Sequence, residues 1–165
     1  MLFRSDTQIA LSPGVRWGPS LIPGDDIRRE DIHNATSMTY GECYRTEMTG
    51  ETLKTVMEDV ADNIFNPDPY YQQGGDMVRV GGLKYSISPE AAMGSRINDM
   101  ELGGKPIDAN KEYVVAGWAS VAAPIEGTPI WDVVAGYLRD KKSIKVQNSD
   151  NVKIKLSKPN PGLAV

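Results

Sequence analysis

The sequence is poor in histidine and cysteine, with His33 and Cys43 as the single examples among 165 residues. A metal-dependent hydrolase needs several imidazole and carboxylate ligands, and a thiol enzyme needs a cysteine paired with a histidine. A self-contained metal or cysteine active site is therefore not expected. One cysteine also excludes an internal disulfide, although it does not identify the cellular compartment, because many exported proteins contain none.

Long apolar runs and common nucleotide motifs are also missing. No stretch of 18 apolar residues occurs, so no membrane span is predicted, and residues 1–20 lack the pattern of a signal peptide. Neither G-x-G-x-x-G nor G-x-x-x-x-G-K-[ST] is present. The net charge is −4, but residues 141–165 carry +5, which leaves −9 for the remainder. A general nucleic-acid surface is not expected. The basic end is typical of a solvated edge strand, with contact to an acidic partner as the alternative.

Apolar periodicity predicts one long helix over about 50–65. Its apolar stripe comprises Leu53, Val56, Met57, Val60 and Ile64. Thr49 is a suitable cap, and the prolines of residues 66–69 end the helix. Acidic residues largely outside the stripe, among them Glu58 and Asp62, are expected to be solvated.

Shorter patterns complete the secondary structure. A helix is predicted over about 27–34, capped by Asp25 or Asp26, and another begins at Thr128-Pro129, with the threonine as cap and the proline as first helical residue. Gly81-Gly82 indicates a bulge or a close backbone approach, and Gly103-Gly104 indicates a tight hairpin. Strands are predicted at 9–11, 39–48, 77–80, 83–87, 97–102, 112–121 and 152–156.

Many strands joined by hairpins, with few helices, predict an α+β fold. We expect a single domain with a mixed or antiparallel sheet and two main helices. It should span residues 9–158, with 1–8 as a boundary remnant and 159–165 as a flexible tail.

An arginine in a loop rich in proline and glycine is the first candidate for binding. Arg16 lies within Ser12-Pro13-Gly14-Val15-Arg16-Trp17-Gly18. Its planar guanidinium can hold two oxygens of an anion and stays charged at any working pH. The alternative is a surface arginine held in an ion pair.

The second candidate is the stretch from residue 70 to residue 82. Its tyrosines and glutamines provide rigid hydrogen-bonding walls, its paired glycines expose backbone N–H groups, and its arginine adds a fixed positive charge. We expect a substrate cleft here, with ordinary packing of a loop and an edge strand as the alternative. The candidate residues are Tyr70, Tyr71, Gly74, Gly75, Asp76 and Arg79.

The remaining chemical groups favour structural roles. Trp118 either stacks on a ligand or, more simply, fills the core. Ser120 has no local partner that would make it a nucleophile. His33 is expected on the surface, and Cys43 is expected to be a small apolar filler. With no nucleophile, base or metal set, and so no predicted catalytic residue, the chain is described better as a substrate-recognition domain than as an enzyme.

Several segments, in a fixed order over about residues 9–140, resemble the C-terminal domain of the 5′-nucleotidase family. They are Gly24-Asp25-Asp26-Ile27, residues 47–53 (EMTGETL), residues 80–85 (VGGLKY), residues 102–108 (LGGKPID) and residues 113–116 (YVVA). Within that family, other stretches look like the SoxB branch, the thiosulfohydrolases of sulfur oxidation. These are residues 10–18, 58–63, 66–82, 117–121 and 129–131.

The resemblance implies half of a two-domain periplasmic hydrolase. An N-terminal metallophosphoesterase domain, outside this sequence, would hold two manganese ions that activate water. The C-terminal domain would recognise a cysteine S-thiosulfonate on the glycine-rich tail of a carrier protein, SoxYZ, and hydrolysis would release sulfate. By itself the chain is expected to be inactive, with no cofactor, no nucleic acid and no membrane as partner.

The resemblance also assigns roles to residues. Nucleotidases present an arginine to phosphate from a Gly-Gly-Ile-Arg motif; Gly14-Val15-Arg16 matches its end, so Arg16 would hold the sulfonate. Trp118 stands where a second stacking aromatic would, whereas the first is lost near Met77. Residues 122–127 replace the Gly-Gly-Asp-Gly segment, whose aspartate binds ribose, which argues for an anion smaller than a nucleotide. Two alternatives stay open: the substrate domain of a true 5′-nucleotidase, and a stand-alone anion- or carrier-binding module.

Overall fold

The computed structural model describes residues 6–14, 20–37, 39–119, 126–144 and 151–159. The α-helices within these ranges are α1 (Arg29–Ala35), α2 (Gly50–Phe65) and α3 (Ile130–Lys141), and Pro69–Tyr71 form a single turn of 3-10 helix. The strands are β1 (Ile9–Ser12), β2 (Tyr44–Thr49), β3 (Arg79–Gly81), β4 (Leu83–Ile87), β5 (Ile97–Leu102), β6 (Lys105–Pro106), β7 (Glu112–Gly117) and β8 (Val152–Ile154). The predicted α+β class is confirmed.

The strands form two four-stranded mixed sheets. The first has the order β2-β7-β1-β3, in which β1 is parallel to β7 and the outer strands are antiparallel to their neighbours. The second has the order β6-β5-β4-β8, with β8 parallel to β4. No helix in the described part of the chain is both long and apolar enough to cross a membrane.

Helix α2 supplies one side of the core and has the predicted bounds, although Val56 of the predicted apolar stripe is exposed. The Oγ1 atom of Thr49 accepts a hydrogen bond from the backbone N–H of Thr52 at 3.1 Å, which confirms the predicted cap. The helix ends at Phe65, directly before the proline-rich segment. Its buried side chains Leu53, Met57 and Ala61 join a core built from both sheets, whose other members include Ile9, Leu83, Ile97 and Val115.

The prediction that the acidic face of α2 is solvated is wrong for two residues. Glu58 is only 3 % exposed, and Asp62 is partly buried beside Arg96, itself 2 % exposed. Both carboxylates accept hydrogen bonds from the β4–β5 connection, and Glu58 also accepts one from Ile97 at the start of β5. Periodicity locates an apolar stripe, but it cannot reveal a buried carboxylate whose donors lie more than 30 residues away.

Local boundaries account for the other differences. The N-cap of α1 is Arg28, whose N–H donates to the carboxylate of Asp31 at 2.7 Å, rather than Asp25 or Asp26. Pro129 is the N-cap of α3 and not its first helical residue. Strand β2 begins at Tyr44, and β3 starts two residues later than predicted. The described part of β7 ends at Gly117, because Ala119 adopts a left-handed φ of +64° that an extended strand cannot contain.

Two glycine pairs behave as predicted. Gly82 has a φ of +80°, and the carbonyl of Gln8 occupies the space that a Cβ would need, so the backbones approach closely. Gly103 and Gly104 turn β5 into β6 with φ values of +58° and +76°, as a type I′ hairpin requires. The proposed tail falls mostly on residues 160–165, which lie outside the described residues.

Candidate functional site

The order of the first sheet brings several predicted residues to one edge. Strands β1 and β7 are parallel, so their carboxyl ends meet there, and the amino end of the antiparallel β3 joins them. Ser12 pairs with Arg79 across β1 and β3. We call this the site edge; it comprises residues 12–14, 76–79 and 117–118.

Contacts at the site edge are close on the β1 and β3 side. The side chain of Asp76 fills the space that a Cβ of Gly14 would need, so a side chain at position 14 would displace this loop. Arg79 is exposed, and the structure shows no ion pair or hydrogen bond of its side chain to a described residue. A free guanidinium therefore lies at this edge, available to an oxyanion.

Trp118 lies on the far side of β1 from Arg79. Two strand spacings, about 10 Å in all, separate the backbones of β7 and β3. The indole ring is half-buried, and its Nε1–H is buried without an acceptor among the described residues. The next residue, Ala119, carries the left-handed φ noted above and donates its N–H to the carbonyl of Tyr40 at 3.0 Å. A strained alanine beside an unpaired indole donor is typical of a functional segment.

Tyr44 adjoins the site edge, although the sequence did not identify it as a candidate. It stands opposite Gly117 in the register of β2 and β7, and its phenol covers the Gly117 backbone so closely that a Cβ would not fit. Burial raises the pKa of Tyr44, which keeps the hydroxyl protonated as a donor. No local sequence signal marks it, because its place depends on strand pairing.

The tyrosine turn, residues 66–75, connects α2 to the segment before β3. Tyr70 and Tyr71 are 87 % and 60 % exposed, and their rings meet edge to face with centroids 5.6 Å apart. Gly74 and Gly75 have φ values of +80° and +102°, which favour glycine. Exposed aromatic rings on a well-bonded turn are suited to contact a partner molecule.

The other candidates have these outcomes. Arg16 and Ser120 lie outside the described residues, so their predicted roles stay predictions. His33 is half-buried, with its ring 4.8 Å from that of Trp131 between α1 and α3. Cys43 is half-buried, and burial raises the pKa of its thiol, which leaves it a weak nucleophile. Within the described ranges, no three His, Cys, Asp or Glu side chains gather in a way that could hold a metal ion.

An open cleft of about 500 Å³ lies elsewhere, between the start of α2 and strands β5 and β6. Gly50, Lys54, Asp99 and Ile107 are among its lining residues. It lies beyond the Thr49–Glu112 end of the first sheet, opposite the Tyr44–Gly117 end. None of the described binding candidates lines it, so the cleft and the site edge are separate features.

The comparisons with known proteins agree on one family. The family model for the 5′-nucleotidase C-terminal domain matches residues 1–132. Among solved structures, the chain is similar to the sulfate thiohydrolase SoxB of Thermus thermophilus in complex with glycerol, with 37 % identity and a TM-score of 0.79 over 93 % of this chain and 29 % of that one. No curated protein matched.

Two nucleotidase structures share the fold at lower identity. A 5′-nucleotidase precursor, also of Thermus thermophilus, has 17 % identity and a TM-score of 0.69, over 96 % of this chain and 33 % of that one. The NAD nucleotidase of Haemophilus influenzae has 19 % identity and a TM-score of 0.71, over 92 % and 30 %. The chain thus spans about a third of the length of these structures. With the family match, the two mixed sheets and the three helices in agreement, the chain belongs to the 5′-nucleotidase C-terminal domain family, in which its fold is SoxB-like.

Proposed function

We propose that this chain is the substrate-recognition domain of a SoxB-type hydrolase, which releases sulfate from a cysteine S-thiosulfonate on a carrier protein during thiosulfate oxidation. The observation that carries the proposal is the 37 % identity with the SoxB structure over nearly the whole chain. The nucleotidase structures reach only 17 % and 19 % at similar coverage. The proposal therefore favours a sulfur anion over a nucleotide.

Arginines at and next to the site edge support this proposal. Sulfonate oxygens accept charge-assisted hydrogen bonds, which an arginine donates from a planar fork. In the proposal Arg16, four residues after β1, holds the sulfonate, and Arg79 assists from β3. The carrier tail, which is rich in glycine, contacts the tyrosine turn and Trp118.

Hydrolysis belongs in this proposal to an adjoining metallophosphoesterase-type domain, which would hold two manganese ions. This chain binds and orients the anion and its carrier, and is inactive by itself. A periplasmic location and the SoxYZ carrier as partner are parts of the same proposal and rest on the resemblance to SoxB.

The test is a binding comparison on the 165-residue chain. A short glycine-rich peptide whose cysteine carries an S-thiosulfonate, the same peptide with a free thiol, and AMP are each titrated calorimetrically and by NMR. We expect the thiosulfonate peptide alone to bind with saturation and to shift the amide signals of residues 76–79 and 117–119. Arg79→Ala should weaken binding about tenfold, since one charge-assisted contact is lost, whereas the exposed Lys84→Ala on β4 should not.

Other outcomes would contradict the proposal. Binding of AMP with shifts around Met77 and Trp118, and none from the peptide, would indicate a true nucleotidase domain. Equal binding of both peptides would mean that the chain does not recognise the sulfonate group. Hydrolysis of the thiosulfonate by this chain alone with added manganese, at the rate of an enzyme that contains both domains, would refute the assignment of catalysis to another domain.

A further inference from the structure

The tyrosine turn is connected to a buried polar network that begins at Glu58 of α2. The Glu58 carboxylate accepts hydrogen bonds from the backbone N–H groups of Ile97 at 2.7 Å, Gly94 at 2.9 Å and Arg96 at 3.3 Å. Because the carboxylate is buried, these bonds fix the end of the β4–β5 connection firmly against the helix.

Arg96 carries the network to the last turn of α2. Its buried guanidinium donates to the carboxylate of Asp62, to the carbonyl of Phe65 at 3.2 Å and to the carbonyl of Pro89 at 3.3 Å. The Phe65 carbonyl is one of the acceptors that a helix leaves unpaired at its carboxyl end. Hydrogen bonds from Arg96 and Asn66 hold the pKa of Asp62 below its usual range, so this carboxylate is charged.

Asn66 passes the connection from the helix to the turn. Its side-chain Nδ2 donates to the second oxygen of Asp62 at 2.8 Å, and its Oδ1 accepts from the N–H of Asp68 at 3.0 Å. Its backbone carbonyl accepts from the side chain of Gln72 at 2.6 Å. One residue thus joins the ion pair to two points of the tyrosine turn, Asp68 and Gln72.

The turn itself has little burial to hold it. Asp68 accepts from the N–H of Tyr70 at 2.9 Å, and Gly74 donates to the carbonyl of Asn63 at 3.1 Å. Residues 67–76 are all exposed, so hydrophobic packing cannot fix their conformation. Hydrogen bonds hold the turn instead, and those made by Asn66 lead back through Asp62 to Arg96.

We infer that Arg96, acting through Asp62 and Asn66, is a positioning residue that holds the tyrosine turn in the conformation that binds substrate. The effect of Arg96 on substrate binding rests on the proposed function, whereas its effect on the turn rests on the contacts alone. A turn ordered in advance avoids the entropy cost of ordering it on binding, so loosening it should weaken binding and leave the chemical step unchanged.

The experiment breaks the connection at Asn66. In Asn66→Ala the amides of Tyr71 and Gly74 should exchange about tenfold faster, because the side-chain hydrogen bonds that join Asp62 to the N–H of Asp68 through Asn66 are lost. Affinity for the thiosulfonate peptide should fall, and in an enzyme with both domains KM should rise while kcat stays constant. Arg29→Ala is the matched control, since it removes an exposed arginine bonded to Asp132 between α1 and α3 and should change none of these values.

Arg96→Met tests the origin of the network with the same measurements. If this variant does not fold, Asn66→Ala and Asp62→Asn decide the question, because both keep the buried guanidinium. Unchanged exchange at Tyr71 and Gly74 would overturn the inference, whatever the activity. Faster exchange with unchanged affinity and KM would overturn the positioning of substrate while leaving the proposed function intact. If the wild-type chain binds no peptide, the proposed function fails, and exchange still decides whether Arg96 holds the turn.

Discussion

Arg79 and Arg96 place the same side chain in opposite surroundings. Arg96 is 2 % exposed, and its guanidinium bonds to one carboxylate and two carbonyls. Arg79 is exposed at the site edge and bonds to no described residue through its side chain. A buried guanidinium bonded to three acceptors is a structural element, whereas an exposed one is available to a ligand.

The carboxylates show the same contrast. Both carboxylate oxygens of Glu58 accept hydrogen bonds, from three backbone N–H groups in all. Asp76 is exposed, and its side chain packs against the Gly14 backbone. The composition does not distinguish Arg96 from Arg79, or Glu58 from Asp76. Only the contacts of the folded chain show that one member of each pair is buried and hydrogen-bonded and the other is exposed.

The largest effect should come from the buried side of this comparison. Glu58→Ala leaves three backbone donors without an acceptor, two of them at the buried residues Arg96 and Ile97, and the protein should lose about 3 kcal/mol or more of its free energy of unfolding. Arg79→Ala, on the exposed side, should stay within about 0.5 kcal/mol of the wild type. Urea unfolding followed by circular dichroism measures both values. Equal losses in the two variants would remove the distinction between the two regions.

The next effect concerns activity. In an enzyme with both domains, Arg16→Ala should lower kcat/KM for the thiosulfonate carrier by roughly 100-fold or more, because a charge-assisted contact to the reacting group is lost. Glu58→Gln is the contrasting variant. It retains a side-chain acceptor, and it should lower the free energy of unfolding but change kcat/KM much less than Arg16→Ala does. An unchanged rate in Arg16→Ala would exclude this arginine from the site.

The smallest effect is a pH dependence that belongs to the network. The pKa of Asp62 is lowered in the folded state, so its contribution to stability is present above the ordinary Asp value of about 4 and is lost as the pH falls below it. Asp99 and Glu90 have lowered pKa values for the same kind of reason, through Lys155 and Ser157. Asp62→Asn should therefore make the urea midpoint fall less steeply between about pH 4 and pH 2. An identical slope in the variant would mean that the pair contributes nothing to acid sensitivity.

Much of the local structure could be predicted because its causes lie within a few residues. Thr49 caps α2 through the N–H of Thr52, three residues away, and two adjacent glycines make the β5–β6 turn. The candidate binding stretch around Tyr70 was proposed from its composition and stays a prediction. The burial of Glu58 was not, because its donors lie 36 to 39 residues further along the chain.

The sequence alone determined the α+β class, the long helix, the glycine turns and the resemblance to its family, since each depends on local patterns or on ordered motifs. The tertiary structure alone decided that β1 lies between β7 and β3, which brings Gly14, Arg79 and Trp118 to one edge. The tertiary structure alone decided that Arg96 is buried in a hydrogen-bond network while Arg79 stays exposed and available to a ligand. Strand order and burial arise from contacts between distant segments, and no local pattern carries that information.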